Sequence, residues 1–187
     1  MRIGLSLCAI LVGTGVAEAQ VTLNPTPSRI VGHPRLTLST YNPNYVEGRE
    51  LFWPRNAAVD VTTAPPILYV SDTGNNRVLG WRNASQFSNG APADVVIGQK
   101  DTYSTNPQGP FAGAQLTGGL NTPTGLAVDA GGNLYVADSG NNRVLRFPRP
   151  FSQADPVKAP DLVIGQTSLS TRSPNAGGIS ASTIALN

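Results

Sequence analysis

The sequence predicts an all-β protein assembled from repeated four-stranded antiparallel units, and two observations carry that expectation. The first is internal repetition. "ILYVSDTGNNRVLGW" at 67–81 returns as "NLYVADSGNNRVLRF" at 133–147, 66 residues later. "DVVIGQ" at 94–99 returns as "DLVIGQ" at 161–166, and "PRNAAVD" at 54–60 as "PTGLAVD" at 123–129, at offsets of 67 and 69. Self-similarity at a near-constant spacing marks a repeat architecture, in which each unit leaves a face for its neighbour to bury. The second observation is punctuation. With 20 Gly and 16 Pro among 187 residues, long helices have little room and short strands with many turns are favoured.

Within the second unit the elements follow in order. "GLAVD" (125–129) is a short apolar strand, "AGGN" a turn, "LYVAD" a second strand, "SGNN" another turn, "RVLRF" a third strand and "DLVIGQ" a fourth. Gly140 with Asn141 or Asn142 tolerates the positive φ of a tight hairpin, and Asp138 can accept hydrogen bonds from nearby backbone. The apolar runs are nearly continuous rather than alternating, so the strands are expected to be covered on both faces. Four short strands joined by tight turns are what a propeller blade requires.

The segment at the N-terminus reads as a leader. Arg2 is followed by the apolar "IGLSLCAILVG" and by Ala17-Glu18-Ala19, a small-x-small site that places a cut before Gln20. The expected divisions are a signal peptide at 1–19, an N-terminal segment at 20–53, a first repeat with a long loop at 54–122, and a second repeat with the start of a further unit at 123–187. "RIVGH" at 29–33 lies 66 residues before 95–99, so it reads as the tail of a preceding unit. Cys8 falls inside the leader, so the mature chain would have no cysteine and would be held by packing alone. Secretion is the expected location. No second apolar stretch offers a membrane span, and a net charge of +2 without a basic cluster excludes the electrostatic footprint of a nucleic-acid binder.

Pro-x-Gly-x-Ala-Val-Asp, then Gly-Asn-Leu-Tyr-Val-Ala-Asp-Ser, then Asn-Asn-Arg-Val, carried by Pro123 to Val144, resembles the NHL repeat. The resemblance implies β-propeller blades of four antiparallel strands. The first repeat departs from the pattern, since Pro54-Arg55-Asn56 lacks the glycine and "VTTAPP" lengthens a turn by three residues. A propeller ring needs roughly 4 to 8 blades. Asn187 stands 22 residues after Gly165, as Pro54 stands 22 after Gly32, so the next strand would be due where the sequence stops. An incomplete ring is therefore expected, to be closed by missing blades or by self-association.

In an up-and-down sheet the turn after the second strand and the connection leaving the fourth emerge at one end. That end gathers the long loops 99–119 and 166 onward. Its candidate ligand-binding residues are Asn75, Asn76, Gln99, Tyr103, Phe111, Asn141 and Asn142, with Tyr41 and Tyr45 in the preceding partial unit. Amides and aromatic rings suit a protein or polysaccharide ligand held by repeated weak contacts, although turn geometry by itself also accounts for the Asn residues.

Catalysis has less support. Some enzymes with such propellers hold a metal through several histidines, but His33 is the one histidine here, so neither a metal nor a cofactor is expected. Asp72 and Asp138, like Asp60 and Asp129, read as turn or strand-end residues, and no "GxSxG" is present. Arg77 and Arg143 are expected to pair with carboxylates between blades. The sequence thus favours a secreted binding or scaffold module without chemistry of its own. The alternative is a fragment of a secreted propeller lyase or lactonase whose catalytic residues lie in other blades.

Overall fold

The structure, a computed structural model, describes residues 27, 29–33, 35, 37, 40, 46–109 and 117–186. The leader, Tyr41, Tyr45 and Phe111 lie outside the described residues. Strands β1 (Pro54–Asp60), β2 (Ile67–Asp72), β3 (Arg77–Trp81) and β4 (Val95–Ile97) form one antiparallel sheet in sequence order. Strands β5 (Pro123–Val128), β6 (Leu134–Asp138), β7 (Arg143–Phe147) and β8 (Leu162–Ile164) form a second. These are two propeller blades in an array whose ring is not closed.

The blades share their register. Asp72 opposes Arg77 and Val78 opposes Ile97 in the first, as Asp138 opposes Arg143 and Val144 opposes Ile164 in the second. Each inner strand breaks register at the same place, between Pro54 and Ala57 and between Pro123 and Leu126. The missing glycine of the first repeat therefore does not disturb its inner strand. Ser71 fills the irregularity: its hydroxyl accepts from the Asn56 N–H at 2.8 Å and donates to the Thr124 carbonyl at 3.0 Å, stitching β1 to β5 of the next blade.

The core lies between the sheets. Ile67, Tyr69, Val78 and Ile97 of the first blade pack on Leu134, Val136, Leu145 and Phe147 of the second, with Leu120 among them. Each such side chain withdrawn from water contributes about 1.5–3 kcal/mol. The first blade's opposite face, with Val70, Leu79, Trp81 and Val96, is covered by Leu51 and partly by Val31, so both its faces are enclosed. The second blade differs from the expectation. Burial alternates along β6 and β7, because among the described residues only the face toward the first blade is covered.

Candidate binding face

The end of the sheets that gathers the connections is organised by one repeated cluster. In the first blade, Asp72 closes β2, a single 3-10 turn spans Thr73–Asn75, and Asn76 takes the left-handed conformation at φ 54 before β3 begins at Arg77. In the second, Asp138, Ser139–Asn141, Asn142 at φ 51 and Arg143 repeat it. The positive φ falls on the second Asn, which tolerates it because its short polar side chain bonds locally. The glycines answer a different need, close approach. A Cβ on Gly74 would stand 2.6 Å from the Phe52 ring, and one on Gly140 would stand 2.5 Å from Asn121 Cγ.

Each aspartate is fully buried and fully used. Asp72 Oδ1 accepts from the Phe52 N–H at 2.7 Å, and Oδ2 from Arg77 Nε at 2.7 Å and Asn75 Nδ2 at 2.9 Å. Asp138 does the same with the Asn121 N–H at 2.7 Å, Arg143 Nε at 2.7 Å and Asn141 Nδ2 at 2.8 Å. Burial is the largest influence and pushes both carboxyls above the ordinary carboxylate value, while the guanidinium and amide donors pull against it.

The arginines do not pair between blades as the sequence suggested. Each ion pair joins neighbouring strands of one sheet, because Asp and Arg face one another across the β2–β3 and β6–β7 hairpins. The remaining guanidinium nitrogens hold the chain where it comes into and leaves each blade. Arg77 donates to the Glu50 and Thr102 carbonyls, and Arg143 to those of Gly119 and Leu169. The carboxylates accept from residues 20 and 17 positions back, Phe52 and Asn121, rather than from local backbone.

The amides expected to face a ligand serve this same architecture. Asn75 and Asn141 are buried against their aspartates. Asn76 accepts from the Thr122 N–H and donates to the Thr105 carbonyl, and Asn142 likewise spans the Leu186 N–H and the Arg172 carbonyl. Buried Gln99 donates to the carbonyls of Asn76 and Asn106. Gln166, which the sequence reading did not single out, repeats this with Asn142 and Ser173. Its signal was the shared "VIGQ". Of the proposed residues that are described, only Tyr103 projects to solvent, 69% exposed.

One sheet face is left uncovered by the described residues. Tyr135, Ala137, Val144, Arg146, Leu162 and Ile164 stand on the side of the second blade away from the first, in mutual register. Their counterparts in the first blade are covered by the second. Ile97 is 0% exposed and Ile164 49%.

Two successive four-stranded blades with matching register and clamps define a β-propeller protein. The chain carries an NHL repeat: the NHL repeat family model matches residues 120–147, from Leu120 through β7. No curated protein sequence matches the chain. NHL repeats suggest a β-propeller protein-binding module. No helix among the described residues is long and apolar enough to cross a membrane, and no group of three or more His, Cys, Asp or Glu among them could hold a metal ion.

Proposed function

We propose that the protein is an exported interaction module, without catalysis of its own, whose open blade face docks a protein partner. The observation that carries this is the contrast between the two copies of one face. Tyr69, Val78 and Ile97 are fully buried by the following blade, whereas Tyr135 and Val144 are half-buried and Ile164 half exposed. A face of Tyr, Val, Leu and Ile, flanked by the Arg146–Asp161 ion pair, complements an apolar protein surface better than a sugar chain. The partner presents aliphatic and aromatic side chains, as Leu134, Leu145 and Phe147 do toward the first blade. Within these two blades Asp72 and Asp138 are enclosed in ion pairs, and neither carboxylate reaches solvent to act as an acid or base. Export rests on the leader at 1–19.

A photo-crosslinking side chain placed at Ile164 in the producing cell tests the docking. A discrete heavier adduct is expected from position 164, none from the 90% exposed Ile179, and loss of the adduct when Val144→Asp is added. No adduct from position 164, or one indifferent to Val144→Asp, overturns the proposal. N-terminal sequencing of the same material should begin at Gln20, and Met1 retained on the protein would exclude export by this leader.

A further inference from the structure

Opposite the clamps, at the end of the sheets where β1 turns into β2, a cleft of about 410 Å³ opens between the two blades. Its volume falls in the range of small-molecule sites, roughly 300–1,000 Å³. One wall is the turn "VTTAPP", from which Thr62, Thr63, Ala64 and Pro65 line the cavity. The same turn in the second repeat is three residues shorter, so this wall is an addition to the repeat and is not needed to make a blade.

The cleft holds polar groups that the fold leaves unused. Asp60 and Asp129 occupy the same position in the two repeats. In Asp129 both carboxylate oxygens are spent on the turn, accepting from the Gly131 and Asn133 N–H groups and from the Asn133 amide. Asp60 uses only Oδ1, which accepts from the Thr62 N–H at 2.8 Å and the Thr62 hydroxyl at 2.6 Å. Its Oδ2 accepts no hydrogen bond from the described residues, although Asp60 is 3% exposed. Beside it Tyr69, wholly buried, has a hydroxyl without a hydrogen-bond partner. A buried polar group left in that condition costs about 1–3 kcal/mol, so a ligand atom that satisfies it binds with advantage. Burial first, and Asp60 second, push the Tyr69 phenol well above its ordinary value, so it stays protonated and able to donate or accept.

Two cationic side chains line the same cavity. The Arg82 guanidinium lies 4.7 Å over the Phe151 ring and makes no side-chain hydrogen bond among the described residues. Arg149 also lines the cleft, with its Nε committed to the Gly131 carbonyl and its terminal nitrogens making no hydrogen bond among the described residues. Ile67 and Phe151 add apolar side chains to the lining. The second blade carries Pro148 where the first has Arg82, so this constellation is not repeated along the chain.

We infer that the interblade cleft is a binding site for a small zwitterion of the free amino-acid class. The ligand's ammonium donates to Asp60 Oδ2 and the Tyr69 hydroxyl, its carboxylate accepts from Arg82 and Arg149, and its side chain rests on Ile67 and Phe151. An ammonium fits the acidic side because it supplies charge to a buried carboxylate that has no cation within ion-pairing distance among the described residues. A carboxylate fits the basic side because guanidinium nitrogens match its geometry and exchange little hydration for the contact.

The test is calorimetric titration of the mature chain with each apolar L-amino acid in turn. L-leucine has two matched controls, isopentylamine, which lacks the carboxylate, and 4-methylpentanoate, which lacks the ammonium. Saturable binding of at least one amino acid is expected, with neither control binding. Asp60→Asn and Arg82→Met should each weaken it by about tenfold or more, as loss of a charged hydrogen-bond partner does. Arg82 is exposed and loses only its contact with the Phe151 ring, so Arg82→Met should stay folded, with its melting temperature as the check, and remain informative should Asp60→Asn fail to fold. No saturable binding by any amino acid, equal binding by a control, or undiminished binding by folded Arg82→Met overturns the inference.

Discussion

Arg143 and Asp138 form a wholly buried ion pair, Nε to Oδ2 at 2.7 Å, and Arg77 and Asp72 form its copy at the same distance. Removing one partner leaves a buried charge uncompensated, which costs about 3–5 kcal/mol. Arg143→Met should therefore lower the unfolding free energy by about that amount, read from the midpoint of urea denaturation. The double variant Arg143→Met with Asp138→Leu should recover part of the loss, since no charge is then stranded. A double variant as unstable as the sum of the two single ones would show that the carbonyl clamps, and not the charge pair, dominate.

Gly74 and Gly140 sit at matching positions but face unequal neighbours. An added methyl at Gly74 meets the Phe52 ring at 2.6 Å and the Phe52 carbonyl oxygen at 2.9 Å, neither free to move away. At Gly140 it meets the Asn121 side chain, a half-buried amide held by the Gly140 carbonyl and the Thr122 hydroxyl, which can give way more readily than a ring fixed in place. Gly74→Ala should cost about 1–3 kcal/mol, the range for overpacking a fixed site, and Gly140→Ala distinctly less. Thermal denaturation of the two variants side by side measures the difference.

Acid should weaken the fold through exposed turn carboxylates. Hydrogen bonds from the Asn133 amide, first, and from backbone N–H groups hold Asp129 below the usual carboxylate value, and Arg146 does the same for Asp161. A depressed folded-state value means that the contribution is fully present above the unfolded value, about 3.9. It is lost as pH falls through the lower folded value. Melting temperature should thus decline below about pH 4, and Asp129→Asn should make that decline shallower. An acid limb identical in the variant would remove Asp129 from this role.

The blades were legible in the sequence because strand and turn are local properties. The runs "LYVAD" and "RVLRF" and the Asn that accepts positive φ are decided by residues a few positions apart. The roles of the amides were not, because an Asn after a Gly looks the same in sequence whether it faces solvent or a buried carboxylate. Only the fold brings Phe52 and Asn121 to the aspartates and so closes the clusters around Asn75 and Asn141. Val78 and Val144 read alike in their repeats and differ only in what stands beside their blade. The cleft was the least legible, since Asp60, Arg82 and Arg149 come from three separate segments.

Gly32, Gly98 and Gly165 share one backbone conformation, φ 92, 93 and 89, and a Cβ on each would strike the residue that opens the following unit, Leu51, Leu120 or Ile184. Between successive glycines the chain carries its own aspartate, its own arginine and the first carbonyl that the arginine grips, Glu50 or Gly119, while the second, Thr102 or Leu169, follows just past the closing glycine. A stretch of gene copied from just past one such glycine loop to just past the next therefore arrives with its own clamp complete, both carbonyls included. Growth by duplication asks for no compensating change elsewhere, and a sequence that wrote the same sentence twice is what that inheritance leaves behind.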